Sequence, residues 1–380
     1  MSGPAPYYNV RDYGATGDGR TDDTGAINAA IAAAAPSSPA TGDTVFLPAG
    51  RYRVSSTLTV PHGLCLLGTG WDTPGSQASI FAGTWIFVEE GADFSPVTIS
   101  GSGGAVRNLG FNVFNPNNTG APASAGPMIH IMGNNALVEH ICLYNPYGGI
   151  YLDGAAQAAI RRIFGQPLNY GIMIDRSFDT NYIDCVHFWP YSHPAGTAPA
   201  AYQLANGTAI LLYRCDNPHI SNVLALHYNR GLSLSGSAAG RSHKVHLINA
   251  DFDGCLTGIH MGSPGYADYA SLQMANVTTQ APAVNDGLVG HGIWIEKTAP
   301  NTVIQASNLR VTFSGLSAIR IDADNVSFYG ENVFLEGWKG DCGFYIASPS
   351  SFAYLGVGFA AGPGRNPFAP KSQFRMPRLA

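Results

Sequence analysis

The sequence predicts a parallel β-helix, a solenoid in which short strands stack coil upon coil. Strand signals recur in pairs, and the second strand of a pair begins with Gly followed by alternating apolar residues, as in 149–152 (GIYL) and 258–261 (GIHM). The spacing is regular, because nine residues separate Ile141 from Ile150 and one full turn, Ile150 to Ile172, takes 22 residues. Period-two alternation predicts strands, and self-similarity at roughly 20–30 residues predicts a solenoid with coils about 4.8 Å apart.

The repeats also set the extent of the solenoid body. After entry strands between residues 45 and 105, coils run from about 109 to 347, so 61–348 is assigned to the β-helix. A tandem of Greek-key domains is the alternative, but it would place hairpin turns such as Asn-Gly between adjacent strands. Periodicity ends beyond Ser348, and 349–380 is expected to form an extended C-terminal tail.

Residues 1–60 are expected to cap the open end of the solenoid. A Gly-rich turn leads into an Ala-rich run that continues to about Ala35 and is predicted to be a helix. Thr21 is expected to cap it, with Asp22 and Asp23 in the first turn, where negative charge offsets the helix dipole. Such a helix would cover unpaired strand edges that could otherwise recruit other chains.

A family resemblance appears in this same segment. The run YNVRDYGATGDGRTDDTGAINAAI, followed by VFLPAGRYRVSSTL, resembles the start of the pectate-lyase-like superfamily of right-handed β-helices, which includes phage tailspike depolymerases and polygalacturonase-related glycosidases. The resemblance implies right-handed coils, a polysaccharide substrate and, as in tailspike-like relatives, a homotrimer. In that superfamily the segment is structural, so Asp18, Asp22 and Asp23 are expected to be turn and cap residues.

Composition narrows the class of protein. Only 12% of residues are charged, while 46 Gly and 25 Pro suit many short strands and tight turns. The net charge of −5 argues against nucleic acid as a partner, and no apolar stretch approaches the ~20 residues of a membrane span. Residues 1–4 lack the features of a secretion signal, so a product of phage type would be extracellular or virion-associated by another route.

Neither a cofactor nor a metal is expected. The residues Gly14, Gly17 and Gly19 lack the strand and acidic partner of a nucleotide-binding loop, and His243 and His246 lack further ligands at zinc spacing. No cysteine pair has C-x-x-C spacing, so the six cysteines are expected to be single thiols within the stack. They are Cys65, Cys142, Cys185, Cys215, Cys255 and Cys342.

Departures from the nine-residue spacing mark three insertions, all leaving the coils at the same corner. They fall within residues 109–129, 186–210 and 277–293. Long loops on one side of a rigid repeat are the usual place for binding. Two clefts are therefore predicted, one over the second and third coils and one over the fifth and sixth.

The first predicted cleft carries two outward carboxylates on neighbouring rungs. Asp153 and Asp175 occupy equivalent positions, about 5 Å apart at the backbone, where repulsion would suit a general acid beside an ionised partner. The alternative is a surface ladder in which Arg161 or Arg176 neutralises the pair. On the insertion after this cleft, Trp189 and Tyr191 are candidates for stacking on sugar rings or for a subunit contact, with burial under the loop as the alternative.

The second predicted cleft combines acids, a base, a cation and an aromatic ring. Asp251 and Asp253 share one face of a strand about 7 Å apart, which suits an inverting glycosidase, and His227 is a candidate base. The alternative is a polar, solvated face. The remaining candidates, all for substrate binding, are Tyr228, Arg230, His260, Trp294 and Glu296.

One short motif resembles a signature of polygalacturonases. Residues 290–292 read Gly-His-Gly, as in those enzymes, but the paired aspartates of that family are missing in recognisable form. Residues 319–322 (IRID) are a poor substitute for its Arg-Ile-Lys. The motif alone is therefore weak evidence for catalysis.

The leading hypothesis is a polysaccharide-degrading enzyme, a glycoside hydrolase or a polysaccharide lyase, that acts in a surface cleft of a β-helix. The second cleft is preferred for the chemistry. The alternative from another class is a non-catalytic fibre or adhesin that binds glycan with the same surface. Fold alone does not choose between them, because function resides in the site.

Overall fold

The computed structural model describes residues 7–35, 43–72, 81–114, 116, 118–282, 288–356, 358–361 and 366–375. Short 3-10 helices span Val10–Tyr13 and Lys371–Gln373. The helices and strands, numbered in chain order, are β1 Tyr8–Asn9, β2 Asp18–Asp22, α1 Thr24–Ala34, β3 Thr44–Phe46, β4 Gly50–Arg53, β5 Leu58–Val60, β6 Cys65–Leu67, β7 Thr84–Glu89, β8 Val97–Ile99, β9 Ala105–Phe114, β10 Pro127–Ile131, β11 Leu137–Leu143, β12 Gly148–Asp153, β13 Ala159–Gly165, β14 Tyr170–Asp175, β15 Asn181–Phe188, α2 Ala198–Asn206, β16 Thr208–Leu212, β17 Pro218–Leu226, β18 Arg230–Leu234, β19 Gly236–Ser237, β20 Gly240–Arg241, β21 Val245–Asp253, β22 Thr257–Met261, β23 Ala270–Gln280, β24 Ile293–Ile295, β25 Thr302–Thr312, β26 Ile319–Ile321, β27 Ser327–Glu336, β28 Cys342–Ile346, β29 Phe352–Leu355, β30 Gly358–Ala361, β31 Asn366–Ala369 and β32 Phe374–Arg375.

The chain forms two compact units, each a stack of parallel β coils. The first comprises Met1–Ile172 and Asn181–Tyr202, and the second comprises Met173–Thr180 and Gln203–Ala380. Within each coil a short strand alternates with a longer one, and equivalent strands of successive coils pair in parallel. This arrangement confirms the predicted parallel β-helix with an N-terminal helix.

The register of the strands matches the repeat seen in the sequence. In the first unit Leu109, Ile141, Ile163 and Val186 stand in one column of paired residues. In the second unit the column of short strands contains Ile210, Leu232, Ile259, Ile293, Ile319 and Phe344. All ten are buried, so burial of these columns supplies the hydrophobic energy that holds the coils in register.

Each long strand of the second unit bends at an asparagine in the left-handed backbone conformation. The φ angles are 54°, 54°, 55°, 52° and 54° at Asn222, Asn249, Asn276, Asn308 and Asn332. Their amides form a ladder across the coils, with contacts of 3.0–3.3 Å. Asparagine suits this corner because it tolerates positive φ better than other residues with a Cβ.

Substitution of Asn276 tests the ladder. Asn276→Ala is expected to cost about 1–2 kcal/mol, because it places Ala at positive φ and removes two amide contacts. Asn276→Gly keeps the conformation without strain and should cost less. Urea unfolding of wild type, Asn276→Ala and Asn276→Gly measures the cost of the strain and the cost of the lost amide contacts. An Asn276→Ala protein as stable as wild type would contradict a stabilising role for the ladder.

The N-terminal helix begins later than predicted. It starts at Thr24, because Thr21 and Asp22 belong to β2, which pairs with β4. Thr21 is therefore not the cap, and its hydroxyl donates to Asp18 at 3.0 Å. Asp22 accepts the Thr24 N–H at 3.1 Å, while the buried carboxylate of Asp23 accepts N–H groups of the preceding turn. These aspartates do serve as turn and cap residues.

Strand pairing continues past Ser348. β29 pairs with β27, and β31 pairs with β28, so the coils extend into the segment predicted to be a tail. The end of that segment, 376–380, lies outside the described residues. The spacing across this boundary, 25 residues from Ser327 to Phe352 and 24 from Phe344 to Phe368, is that of the preceding coils, so the prediction of a tail beginning at residue 349 was wrong.

All six cysteines are free, as predicted. Burial raises the pKa of Cys215 and of Cys255 to about 12 and raises that of Cys142 still further from its ordinary value. Among the described residues, no cluster of three or more His, Cys, Asp and Glu has a metal-binding arrangement, and no helix is long and apolar enough to cross a membrane.

Thiol chemistry should distinguish the buried cysteines from the others. A thiol-specific reagent at pH 8 is expected to modify Cys65 and Cys185, which are partly exposed, well before the four buried cysteines. All six should react once the chain is unfolded in urea. Rapid reaction of all six in the native protein would contradict the packing described.

Candidate functional site

Polar and aromatic side chains form one line across the short strands of the second unit. Ser233, His260, Trp294, Arg320 and Tyr345 are successive partners in the parallel register of β18, β22, β24, β26 and β28. Their neighbours in sequence are buried core residues, so by strand alternation this line lies on the outward face. Neighbouring members are about 4.8 Å apart at the backbone.

His260 links a buried serine to a carboxylate at the surface. Its Nδ1 lies 3.0 Å from Ser233 Oγ and its Nε2 lies 2.9 Å from Glu296 Oε1. His260 is only 3% exposed, whereas the Glu296 side chain is partly exposed. One neutral tautomer satisfies both contacts, with the Ser233 hydroxyl donating to Nδ1 and Nε2–H donating to Glu296.

The charges around this pair favour a neutral imidazole and an ionised carboxylate. Burial lowers the pKa of His260, outweighing the opposing effect of Glu296. The hydrogen bond from His260 lowers the pKa of Glu296, and the nearby Arg230 guanidinium acts in the same direction. Burial also lowers the pKa of Arg230, against the attraction of Glu296. Glu296 is therefore an ionised carboxylate backed by a buried donor.

Trp294 is the centre of a second group of contacts. Its Nε1 donates to Asp322 Oδ2 at 3.0 Å, and Arg320 Nε contacts both oxygens of Asp322 at 2.8 and 2.9 Å. The rings of His260 and His291 lie 5.6 and 5.5 Å from the Trp294 ring. The Trp294 ring is thus held in place by neighbours on the adjacent strands.

The structure brings together two segments that the sequence showed only as weak motifs. His291, from Gly-His-Gly, and Arg320 and Asp322, from IRID, all surround Trp294. Burial and the positive charge of Arg320 lower the pKa of His291 to about 4, and its Nδ1 accepts the Ser317 N–H at 3.2 Å. The signal that could have united part of this group was the equal position of Trp294 and Arg320 on successive coils.

A cleft of about 710 Å³ opens over these residues. It is lined by Trp294, Glu296, Lys297, Thr298, Asp322, Asp324, Ala347 and Ser348. Asp324 accepts the Ser348 hydroxyl, and Thr298 donates to Glu296 Oε2 at 3.2 Å. Three carboxylates, an ammonium group and an indole ring therefore share one surface, which is suited to acid–base chemistry on a sugar.

Asp251 and Asp253 project outward from β21, as predicted. Asp251 is exposed, while Ala250 and Phe252 beside it are buried. Desolvation and the charge of Asp253 raise the pKa of Asp251, and Gln280 Nε2 donates to Asp253 Oδ1 at 3.0 Å. These properties suit a general acid, and their catalytic role stays a prediction.

The acids of β21 do not share a strand stack with the His260 group. β21 belongs to the long strands and β22, which carries His260, to the short ones, so the two groups face different sides of the coil. His227 lies in the corner between them, where its N–H donates to the Asp253 carbonyl at 3.1 Å and its φ is 68°. The second predicted cleft is therefore two separate surfaces.

Tyr228 differs most from its predicted place. It is completely buried, and burial raises the pKa of its hydroxyl well above the ordinary value. Its ring fills the core instead of facing a substrate. A tyrosine next to a tight corner gave no signal of this, because alternation does not continue through a turn.

The two acids of the first predicted cleft have different surroundings. Asp153 lies on the outward face of the first unit, 3.8 Å from His130 Nε2. Asp175, in the second unit, accepts the Ser237 hydroxyl at 2.7 Å and the Arg214 N–H at 3.1 Å, which organises a turn. Arg161 forms an ion pair with Glu139 at 2.7 Å.

Trp189 and Tyr191 form an aromatic group with His187 in the first unit. Trp189 is 42% exposed and stacks on the His187 ring at 5.9 Å and 9°. The Tyr191 hydroxyl lies 2.8 Å from His187 Nδ1. The buried Gln166 accepts N–H groups of Ser192 and His193, which holds the loop in place. Trp189 is accessible for stacking, as a sugar-binding role requires.

Comparison with known protein families points to the N-terminal segment. Residues 7–97 match the family described as rhamnogalacturonase A/epimerase, pectate lyase-like. Alginate lyase 7 of Azotobacter vinelandii is 65% identical over 70 residues, which are 17% of this chain and 8% of that protein. The match therefore spans less than a tenth of the length of this relative. The residues matched by the family model, 7–97, lie outside the candidate cleft.

Solved structures match the fold over nearly the whole chain. The N-terminal fragment of bacteriophage phi29 gene product 12 aligns with a TM-score of 0.66 at 14% identity, covering 97% of this chain and 65% of that one. The catalytic unit of the GH87 α-1,3-glucanase from Streptomyces thermodiastaticus strain HF3-3 aligns with a TM-score of 0.50 at 14% identity. The alignment covers 97% of this chain and 70% of the glucanase chain. The chain has the right-handed parallel β-helix fold of pectate-lyase-like proteins, as the sequence resemblance implied.

Proposed function

We propose that this protein hydrolyses glycosidic bonds of an acidic polysaccharide in the cleft lined by Trp294, Glu296 and Asp324. The observation that carries the proposal is the hydrogen bond between the buried His260 and Glu296 at the floor of that cleft. A buried histidine bonded to a partly exposed carboxylate contributes little net stability, and groups with perturbed pKa values in a cleft are typical of active sites.

The roles follow from the surroundings of each group. Glu296, held ionised by His260, is suited to activate a water molecule as general base. Asp324 lines the same cleft as Glu296 and is the candidate to protonate the leaving oxygen. Trp294 offers a stacking surface, and Lys297 and Arg320 offer positive charge to a uronate.

The second candidate function is cleavage of the polysaccharide by β-elimination, the reaction of polysaccharide lyases. It is favoured by the likeness of a 70-residue stretch to alginate lyase 7 and by the neutral imidazole of His260 near Arg230. Elimination needs a base and a cation that neutralises the uronate. The sequence-derived alternative of a non-catalytic glycan-binding fibre is the third outcome of the same experiment.

Incubation with alginate, polygalacturonate and neutral glucans distinguishes these functions. Release of reducing ends without ultraviolet absorbance of an unsaturated uronate is the result expected. New absorbance near ~235 nm would show elimination and overturn hydrolysis, while binding with neither product would show a glycan-binding fibre. The Glu296→Gln protein is the negative control for each substrate.

Assembly and location extend this proposal. The likeness of the fold to a bacteriophage protein supports a virion-associated role. The homotrimer stays a prediction from the sequence resemblance. Light scattering should give three times the mass of the single chain. A monomeric mass would remove the trimer without affecting the proposed cleft.

A further inference from the structure

A shallow groove of about 600 Å³ runs across the long strands of the second unit. It is built from residues N-terminal to the left-handed asparagines, so it lies on a different part of the coil from the cleft at Trp294. Five successive strands, β21, β23, β25, β27 and β29, contribute to it. At about 4.8 Å a rung, the groove is roughly 20 Å long.

Two columns of outward side chains line this groove. The first column begins outside the groove at His219, whose ring stacks on His246 at 4.6 Å. From His246 the column continues through paired residues on the next four strands. Its members within the groove are His246, Gln273, Gln305, Tyr329 and Tyr354. The second column contains Ile248, Ala275, Ser307 and Glu331.

The first column changes along its length from a histidine to two glutamines and then to two tyrosines. Gln273 Nε2 donates to Gln305 Oε1 at 2.7 Å, which orients both amides along the groove. Tyr329 and Tyr354 are 42% and 40% exposed on adjacent rungs, and Tyr329 packs edge-on against Phe352 at 5.8 Å. The small residues Ala275 and Ser307, two positions after Gln273 and Gln305 on the same strands, leave room over the amides.

We propose that this groove binds a neutral oligosaccharide at a site separate from the catalytic cleft. Fixed amides exchange hydrogen bonds with sugar hydroxyl groups, and half-exposed tyrosine rings supply apolar faces with a polar edge. The length of the groove suits several sugar units in a row. Rigid strands hold all of these groups in place, so little ordering entropy is lost on binding.

The charge of the groove distinguishes its ligand from the substrate proposed for the cleft. Among the lining residues that the structure describes, Glu331 is the one acidic residue, and none is a lysine or an arginine. Desolvation and the charge of His219 lower the pKa of His246. A uronate chain would meet this carboxylate without a cation to balance it. A neutral glycan has no such penalty.

A second copy of this chain is the competing occupant, and the surface is less suited to it. Stable interfaces have a largely apolar core within roughly 1,200–2,000 Å² of buried area. Here the exposed apolar side chains are Ile248 and the two tyrosines, separated by amides and hydroxyls.

Calorimetric titration with neutral glucose hexasaccharides of different linkage tests the proposal. At least one is expected to bind, and Tyr329→Ala should weaken its affinity about tenfold through loss of ring contact. Tyr269→Ala is the matched control, since Tyr269 is 48% exposed and does not line the groove. Gln273→Ala should also weaken binding, whereas Glu296→Gln should leave it unchanged.

Three results would overturn the groove as a glycan site. They are failure of every neutral hexasaccharide to bind, equal affinity of the Tyr329→Ala protein, and preference for a hexauronate. A fall in the mass of an assembled protein caused by Ile248→Asp would identify a second copy as the occupant. Each result is independent of whether Glu296 is catalytic.

Discussion

Replacement of Glu296 by Gln is expected to lower turnover by about 10²–10⁴, the usual contribution of a general acid or base. Glutamine preserves the length of the side chain and a hydrogen-bond acceptor for His260 Nε2, so the melting temperature should change little. Reducing-end release at saturating substrate measures the turnover, and calorimetry verifies folding.

Asp251→Asn is the matched control for this prediction. Asp251 has the carboxyl group whose pKa is raised, and the sequence alone favours it for catalysis. If Asp251→Asn abolishes activity and Glu296→Gln does not, the chemistry occurs on the face of β21 and our assignment of the cleft is wrong. Asp153→Asn, on the first unit, should have little effect under our assignment.

The pH dependence of activity provides a further test of the His260–Glu296 pair. Because His260 lowers the pKa of Glu296, the base stays ionised, and activity persists, to a pH below the usual range for glutamate. His260→Ala removes the hydrogen bond that favours the ionised form of Glu296. The acidic limb of the pH–activity profile should therefore move to higher pH. An unchanged limb would show that Glu296 is not the titrating base.

Replacement of Arg241 by Met is expected to give the largest loss of stability, about 3 kcal/mol. Arg241 is 1% exposed, and its guanidinium donates to the carbonyls of Asp268 and Pro300 at 2.8 and 2.6 Å and to Thr302 Oγ1 at 2.9 Å. Methionine fills similar volume but leaves these buried acceptors without a donor.

Arg310→Met is the control, because Arg310 is exposed and its contact with Glu336 is 3.6 Å long. It should cost less than about 0.5 kcal/mol, as surface ion pairs usually do. Urea unfolding compares the two variants. Equal stabilities would show that the three contacts of Arg241 are dispensable. Because Pro300 and Thr302 follow closely after Glu296, the Arg241→Met protein should also lose activity before it unfolds globally.

The repeat in the sequence was enough to predict the fold and much of the register. Alternation within each strand separates inward from outward residues, and constant spacing then places equivalent residues of successive coils side by side. Ile141 beside Ile163 and Leu232 beside Ile259 follow from spacing alone, and the structure confirms both pairs. The outward direction of Asp251 follows in the same way.

The direction and burial of side chains at the corners could be found only from the tertiary structure. They depend on backbone angles that a repeat does not encode. The turn after β21 separates Asp253 from His260 onto different sides of the coil, and the corner at Tyr228 sends that ring into the core. The helix start likewise moved to Thr24 because Asp22 pairs within a strand.

By itself, the sequence determined a right-handed parallel β-helix with polar groups on its outward faces. Which of these groups act together was decided only by the tertiary structure. Trp294 and Arg320 come from separate strands 26 residues apart, and they meet because neighbouring coils stack in register. His291, three residues before Trp294, packs against the same ring. The sequence indicates whether a residue faces inward or outward on its own strand. Contacts between residues of different coils exist only once the coils are stacked.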